Sequence, residues 1–164
     1  MNFKYGGLDN PDLYLDETIR RMCYSQRRLS AQLAVQLYNE KKKDKALAIL
    51  NKIDEGISDE LLPFDDVVYG ASSEFANIYL ALEQNEKAAK ILQKTMDNAL
   101  QQMRWYLSMN NRNLRICASQ FSEIASNMYN FVFPLMTGCF EEAQYNAMYD
   151  EWKDLCNEFE RRVN

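Results

Sequence analysis

The sequence predicts an all-α protein, an array of antiparallel helix pairs with about six helices. Three observations predict it. Gly and Pro number only 5 and 3 in 164 residues, while Leu, Ala, Glu, Lys and Gln are abundant, so elements should be long and helical. Apolar residues recur at three- and four-residue steps. One stretch also occurs twice: Asp44-Lys45-Ala46-Leu47-Ala48-Ile49-Leu50 is followed 42 residues on by Glu86-Lys87-Ala88-Ala89-Lys90-Ile91-Leu92. Sliding residues 28–55 onto 70–97 gives seven identities: Ser30/Ser72, Ala34/Ala76, Lys45/Lys87, Ala46/Ala88, Ile49/Ile91, Leu50/Leu92 and Lys52/Lys94. A fixed period of this length marks a repeat architecture.

In order along the chain, residues 1–15 are expected to form an irregular lead-in and 16–164 a single domain. Asn10-Pro11 is a helix-start signal, an N-cap followed by Pro at the first helical position. Asp9, Asp12 and Asp16 lack the calcium-loop pattern and read as capping residues. A first helix is predicted from about Asp16 to Glu40. Ile19, Met22, Cys23, Leu29, Leu33, Ala34 and Leu37 form its inward stripe. Arg20, Arg21, Arg27 and Arg28 lie off that stripe or at its edge, as a solvated or ion-paired face. Lys41-Lys42-Lys43 is the turn, and Asp44 caps a second helix, about 44–55, with Ala46, Leu47, Ile49, Leu50 and Ile53 inward and Gly56 to end it.

Residues 57–64 lengthen the repeat; Ser58-Asp59-Glu60 reads as a capped turn that Pro63 breaks. Asp65 or Asp66 is expected to cap a third helix, about 66–83, carrying Val67, Val68, Phe75, Ala76, Tyr79 and Leu80. Asn85 then caps a fourth, about 86–109, with Ala88, Ile91, Leu92, Met96, Leu100, Met103 and Leu107. After a turn at Asn110-Asn111, a fifth helix, about 112–133, carries Leu114, Ile116, Cys117, Phe121, Ile124, Ala125, Met128 and Tyr129 until Pro134 ends or kinks it. Gly138 supports a turn. The sixth helix, about 141–161, carries Ala143, Met148, Trp152, Leu155, Cys156 and Phe159, with Arg161-Arg162 favourably placed at its C-terminal dipole.

Composition narrows function by exclusion. The net charge of −5 and a pI near 4.9 argue against a nucleic-acid partner, whose binders present basic patches to phosphate. There is no histidine, which removes the commonest general base, the commonest metal ligand and every His-activated nucleophile. Cys23, Cys117, Cys139 and Cys156 show no C-x-x-C or zinc-type spacing and read as small apolar residues. The acidic pairs Glu141-Glu142 and Asp65-Asp66 would point about 100° apart on a helix, so neither converges on one substrate atom. No metal, cofactor or catalytic residue is therefore expected. Met1–Gly7 lacks the apolar core of a secretory signal. The longest apolar run, Phe131–Met136, is far too short for a membrane span.

Around Ala46, Leu33, Ala34 and Leu37 stand 13, 12 and 9 residues upstream and Leu50 four downstream; around Ala88 the matching residues are Phe75, Ala76, Tyr79 and Leu92. This pattern resembles the tetratricopeptide repeat, with small residues where the two helices of a pair approach closely. The period of 42 departs from that repeat's roughly 34, and no Pro stands at the repeat end. The repeats cover about 28–55 and 70–97, with a degenerate third pair, about 112–161, as the cap such arrays need. The resemblance implies a concave groove for a protein or peptide partner, lined by Arg28, Ala31, Val35, Tyr38 and Asn39, then Ser73, Asn77 and Leu80. Met103-Arg104-Trp105-Tyr106-Leu107 reads mainly as packing of the fourth helix against the fifth and sixth. Trp105 lies off the inner stripe, where it can meet a sugar or a membrane interface.

A second resemblance runs from Phe3 to Met22 (FKYGGLDNPDLYLDETIRRM) and extends through Asp44-Lys45-Ala46 and Trp105-Tyr106-Leu107-Ser108. It is similar to the C-terminal soluble tail of a bacterial family of multi-spanning membrane proteins related to protein O-mannosyltransferases. That resemblance implies a non-catalytic, extramembrane helical-repeat tail, periplasmic and attached to membrane helices upstream of Met1, with the catalytic acids elsewhere in the parent protein. Cys117 and Cys139 would then be open to oxidation. The alternative reading is a free-standing cytoplasmic adaptor.

Overall fold

A computed structural model describes residues 6–64, 67 and 71–163. They are all-α, with no strand among them: α1 Glu17–Asn39, α2 Lys43–Gly56, α3 Ser72–Ala81, α4 Asn85–Ser108, α5 Asn111–Ile116, α6 Ala118–Asn127, a π turn Met128–Val132, α7 Phe133–Met136 and α8 Glu142–Val163. α1 packs on α2 and α3 on α4, and α1 also lies beside α3. The run α5–α7, broken only at Cys117 and by the π turn, packs with α8 over α4.

The two pairs share one turn, bond for bond. At the end of α1 the amide of Lys42 donates to Leu37 C=O, Lys41 to Tyr38 C=O and Glu40 to Gln36 C=O; at the end of α3, Gln84 donates to Tyr79, Glu83 to Leu80 and Leu82 to Ile78. Each bond recurs 42 residues later. Both turns pass through a left-handed residue, Lys41 at φ 62° and Glu83 at φ 61°, the conformation that lets the last carbonyls of a helix be satisfied before the chain reverses. α2 and α4 then begin on Lys42 and Gln84 without a side-chain cap. Asp44 and Asn85, expected as caps, sit one or more residues inside.

The small residues pack as the repeat requires. Ala34, Ala46, Ala76 and Ala88 are fully buried, which lets the paired backbones approach without a side chain between them. Leu50, Ile53, Phe75, Tyr79, Leu92 and Met96 fill the surrounding space.

Several expectations are corrected. Asn10-Pro11 opens a turn, with Asn10 accepting from the Asp12 amide; the helix starts at Glu17, where Asp16 accepts from the Ile19 amide at 2.8 Å. Asp65, Asp66 and Val68 lie outside the described residues, and α3 begins at Ser72, after Ala71 in the left-handed region. Most consequential is the first helix. Ile19, Met22, Leu29 and Leu33 are exposed, and the buried side runs through Cys23, Tyr24, Arg27, Ala31 and Ala34. Helix α1 has two apolar faces, and the one with the larger aliphatic residues faces away from the core.

Arg27, expected on the surface, is 1% exposed. Its guanidinium lies 3.9 Å from the Phe64 ring centroid and donates to Leu62 C=O at 2.5 Å and Pro63 C=O at 3.4 Å. The segment 57–64 thus has an anchor in α1. Phe64 continues the stack onto Phe75 at 5.0 Å, its amide donates to Asp59, and the Thr95 hydroxyl of α4 sits 2.6 Å from its carbonyl. Burial pulls the Arg27 guanidinium below its usual range, opposed by the fields of Tyr24, Asp59 and Asp54.

The third unit closes over α4 through aromatic rings. Phe121 stacks on Phe159 at 4.1 Å, and Phe133 meets Tyr145, Tyr149 and Trp152 edge-on at 5.1–5.7 Å. Arg104 of α4 pairs with Glu151 of α8. Arg162, expected to act on its own helix end, instead donates to Leu107 C=O and Met109 C=O at the end of α4. The fifth predicted helix changes form before Pro134: the Phe133 amide reaches five residues back to Met128 C=O, and Pro134 falls in the first turn of α7. Ile116, Tyr129 and Ala143, expected inward, are exposed.

Candidate functional site

The residues expected to line a groove come from α1 and α3, and the period pairs them: Val35 with Asn77, Tyr38 with Leu80, Ala31 with Ser73. They do not form one open surface. Asn39 and Asn77 are exposed; Val35, Tyr38 and Ser73 are half-buried; Ala31 is buried. Arg28 spans the helices to Glu74 at 3.2 Å, and the Ser73 hydroxyl lies 3.0 Å from the other oxygen of the same carboxylate. These three fasten α1 to α3. Leu80 is occupied differently: a Cβ built on Gly138 would stand 3.7 Å from both its methyls, so the turn after α7 covers it. Tyr38 presents its ring to the Lys43 ammonium at 5.7 Å. What remains open along this side is Tyr38, Asn39 and Asn77, with Val35 between them.

A second feature lies outside the expected groove. Between the two pairs lies a cleft of ≈ 190 Å³, lined by Asp54, Ile57, Asp59, Phe64, Tyr79, Lys87, Lys90, Ile91 and Lys94. The lysines project from one face of α4 at i, i+3 and i+7. The Lys87 ammonium reaches Asn51 Oδ1 at 2.8 Å and Asp54 Oδ2 at 3.5 Å. Lys94 pairs with Asp59. The Tyr79 hydroxyl donates to Asp54. Burial, reinforced by that hydrogen bond to a carboxylate, pushes the Tyr79 phenol far above its usual range. Burial opposes the charge of Asp59, yet the Lys94 ammonium and the Phe64 amide hold its carboxyl below the usual range. The one signal for this cleft in the sequence was the shared pair Lys45/Lys87 and Lys52/Lys94; their partners Asp54 and Asp59 come from the preceding unit.

Chemically the cleft ties the two pairs together through ion pairs and a phenol–carboxylate hydrogen bond. The Tyr79 phenol is held as a donor to Asp54, and Lys87 and Lys94 each face a carboxylate across the cleft. The thiols are free. Burial raises Cys23 and Cys139 and, with Glu160 nearby, lifts Cys156 to about 11, which disfavours their thiolate forms. Among the described residues no group of acidic or Cys side chains is arranged to hold a metal ion, and no helix is long and apolar enough to cross a membrane. Glu141 and Glu142 stand exposed at the start of α8; Asp65 and Asp66 lie outside the described residues. Trp105 is exposed on α4, edge-on to Tyr106 at 5.0 Å, while Tyr106 itself turns toward Phe121.

The chain was compared with protein-family models, curated proteins and solved structures, and none of the three gave a match.

Proposed function

We propose that the chain is a non-catalytic helical-repeat interaction domain that holds a protein or peptide on the side shared by α1 and α3. The observation that carries this reading is the repeated turn. Two helix pairs built on the same hydrogen bonds set their first helices side by side, and such arrays present a continuous binding face. Tyr38, Asn39 and Asn77 are the side chains free to meet a partner there; Arg28, Ser73 and Leu80 shape the face from beneath. The resemblance of residues 3–22 and of the Asp-Lys-Ala turn to the tail of O-mannosyltransferase-related membrane proteins supplies the setting. The domain would orient an acceptor protein or an envelope partner at the periplasmic side of a membrane, and the sugar-transfer chemistry would lie in the parent's membrane half.

Two measurements test the reading. The reading frame upstream of Met1 should encode apolar segments of about 20 residues; an in-frame stop there would favour the cytoplasmic adaptor instead. In affinity capture with the intact chain as bait, the double variant Tyr38→Ala/Asn77→Ala should lose its partners while keeping its helical circular dichroism. Unchanged capture by the folded variant counts against the groove.

A further inference from the structure

Between the π turn and α8 runs an open aromatic groove of ≈ 400 Å³, lined by Tyr129, Asn130, Phe133, Pro134, Tyr145 and Tyr149. It shares no residue with the groove of Tyr38, Asn39 and Asn77 and stands without it. The rings are fixed from behind. Phe133 is 2% exposed and meets Tyr145 and Tyr149 at an interplanar angle of 73°. Tyr145 and Tyr149 stand about one turn apart on α8, their rings parallel within 9° and their centroids 6.0 Å apart. Tyr129 stacks on Trp152 at 5.6 Å, which covers one face of a ring that is still 54% exposed. Asn130 and Pro134 are exposed beside it. Nothing in the lining carries a charge, and among the described residues none of the three phenol hydroxyls has a hydrogen-bond partner. The groove therefore offers ring faces and hydrogen-bond donors, and nothing that would neutralise an ion.

We propose that this groove holds a proline-rich segment of a partner protein in the polyproline II conformation, with a basic residue beside the prolines. Such a segment presents pyrrolidine rings and backbone carbonyls, and its prolines have no N–H in need of an acceptor. Its rings lie against the tyrosine faces, and its carbonyls accept from Tyr145, Tyr149 and the Asn130 amide. Little order has to be imposed on binding, because the conformation exists beforehand. The basic flank follows from α8. Glu142 stands three residues before Tyr145, on the same side of the helix; it is exposed and has no ion-pair partner among the described residues. Other occupants fit less well. A sugar carries many hydroxyls that need acceptors as well as donors once stripped of water, and one carboxamide and three phenols leave most of them unmet. A methylated ammonium needs ring faces converging from several sides; Phe133 is buried and Tyr145 and Tyr149 lie parallel, so no such box forms. The chain's own prolines, Pro11, Pro63 and Pro134, make no such run, so a second copy of these residues does not supply it.

The probe is a fluorescein-labelled oligoproline of about three turns, flanked by arginines and titrated against the intact chain by fluorescence anisotropy. Saturable binding is expected, with none to a control in which alanines replace the prolines. Tyr129→Ala should weaken binding about tenfold, as loss of an aromatic anchor does. Tyr129 is more than half exposed, so this variant should keep its helical signal and melting point. The double variant Tyr145→Phe/Tyr149→Phe keeps both rings and removes their donors, and should weaken binding about fivefold. Glu142→Gln should weaken it about twofold and flatten its dependence on salt. The proposal is overturned by absent binding, by equal binding of the alanine control, or by equal binding to wild type and the folded Tyr129→Ala. Maltotetraose should leave the peptide bound; displacement by it would make this a sugar site and overturn the proposal.

Discussion

The two helix pairs close with the same hydrogen bonds and the same left-handed residue, yet Leu33 stands half in water while Phe75, its counterpart, is wholly enclosed. The difference lies in what precedes each pair. α3 has the segment 57–64 behind it, with Phe64 on Phe75; among the described residues Leu33 has no such cover. Equal local structure therefore gives unequal surroundings, and in a repeat array stability belongs to the interfaces between units as much as to the units. The sequence differs accordingly: the second pair has aromatic residues, Phe75 and Tyr79, where the first has leucines, and the added ring area is buried between units.

The comparison can be broken most directly at that position. Phe75→Ala should cost about 3–5 kcal/mol in urea unfolding, the range for emptying an aromatic core site. Leu33→Ala should stay within about 0.5 kcal/mol, as exposed substitutions do. Similar losses at the two positions would mean that α1 is covered in solution. Next in size, Ala46→Leu and Ala88→Leu both overpack a helix crossing and should each cost about 1–3 kcal/mol. Ala88 should lie higher in that range, because its pair is enclosed by neighbours on both sides; a neutral result at either would remove the close approach on which the repeat rests.

The smallest effect is confined to the second pair. Tyr79→Phe removes the hydroxyl given to Asp54 and should cost about 1 kcal/mol near neutral pH. The phenol is raised in the folded state, so its contribution is complete below the unfolded value near 10 and is lost as pH rises beyond it. Wild-type stability should accordingly fall above about pH 10 more steeply than that of Tyr79→Phe. Parallel alkaline profiles would show that the hydroxyl is not held by Asp54.

Much of this was legible in the residues. The spacing of Ala34, Ala46, Ala76 and Ala88 located the close crossings, and periodicity gave the bounds of α1, α2, α4 and α8 to within two residues, though not those of α3 or of the broken run α5–α7. The inward side of α1 was legible only in part. The expected stripe placed Cys23 and Ala34 correctly in the core but joined to them Ile19, Met22, Leu29 and Leu33, which are exposed; periodicity records that a face is apolar, not which neighbour covers it. Arg27 was misread for a related reason. An arginine can be buried where backbone carbonyls and an aromatic ring receive it, and its partners at Leu62, Pro63 and Phe64 lie 35 to 37 residues away, beyond any local pattern. The groove was over-read in the same manner: Arg28 and Leu80 occupy the expected side, but Glu74 and the turn at Gly138 reach them first.

The π turn at Met128–Val132 has a consequence for how this chain can be edited. It amounts to one residue more than a regular helix needs, and that extra residue advances everything after it by about 100°. Phe133 and Met136, which follow that advance, are buried. Deleting a single residue between 128 and 132 would leave a smoother helix and a worse protein, with the ring that meets Tyr145, Tyr149 and Trp152 swung toward water and α8 deprived of its central support.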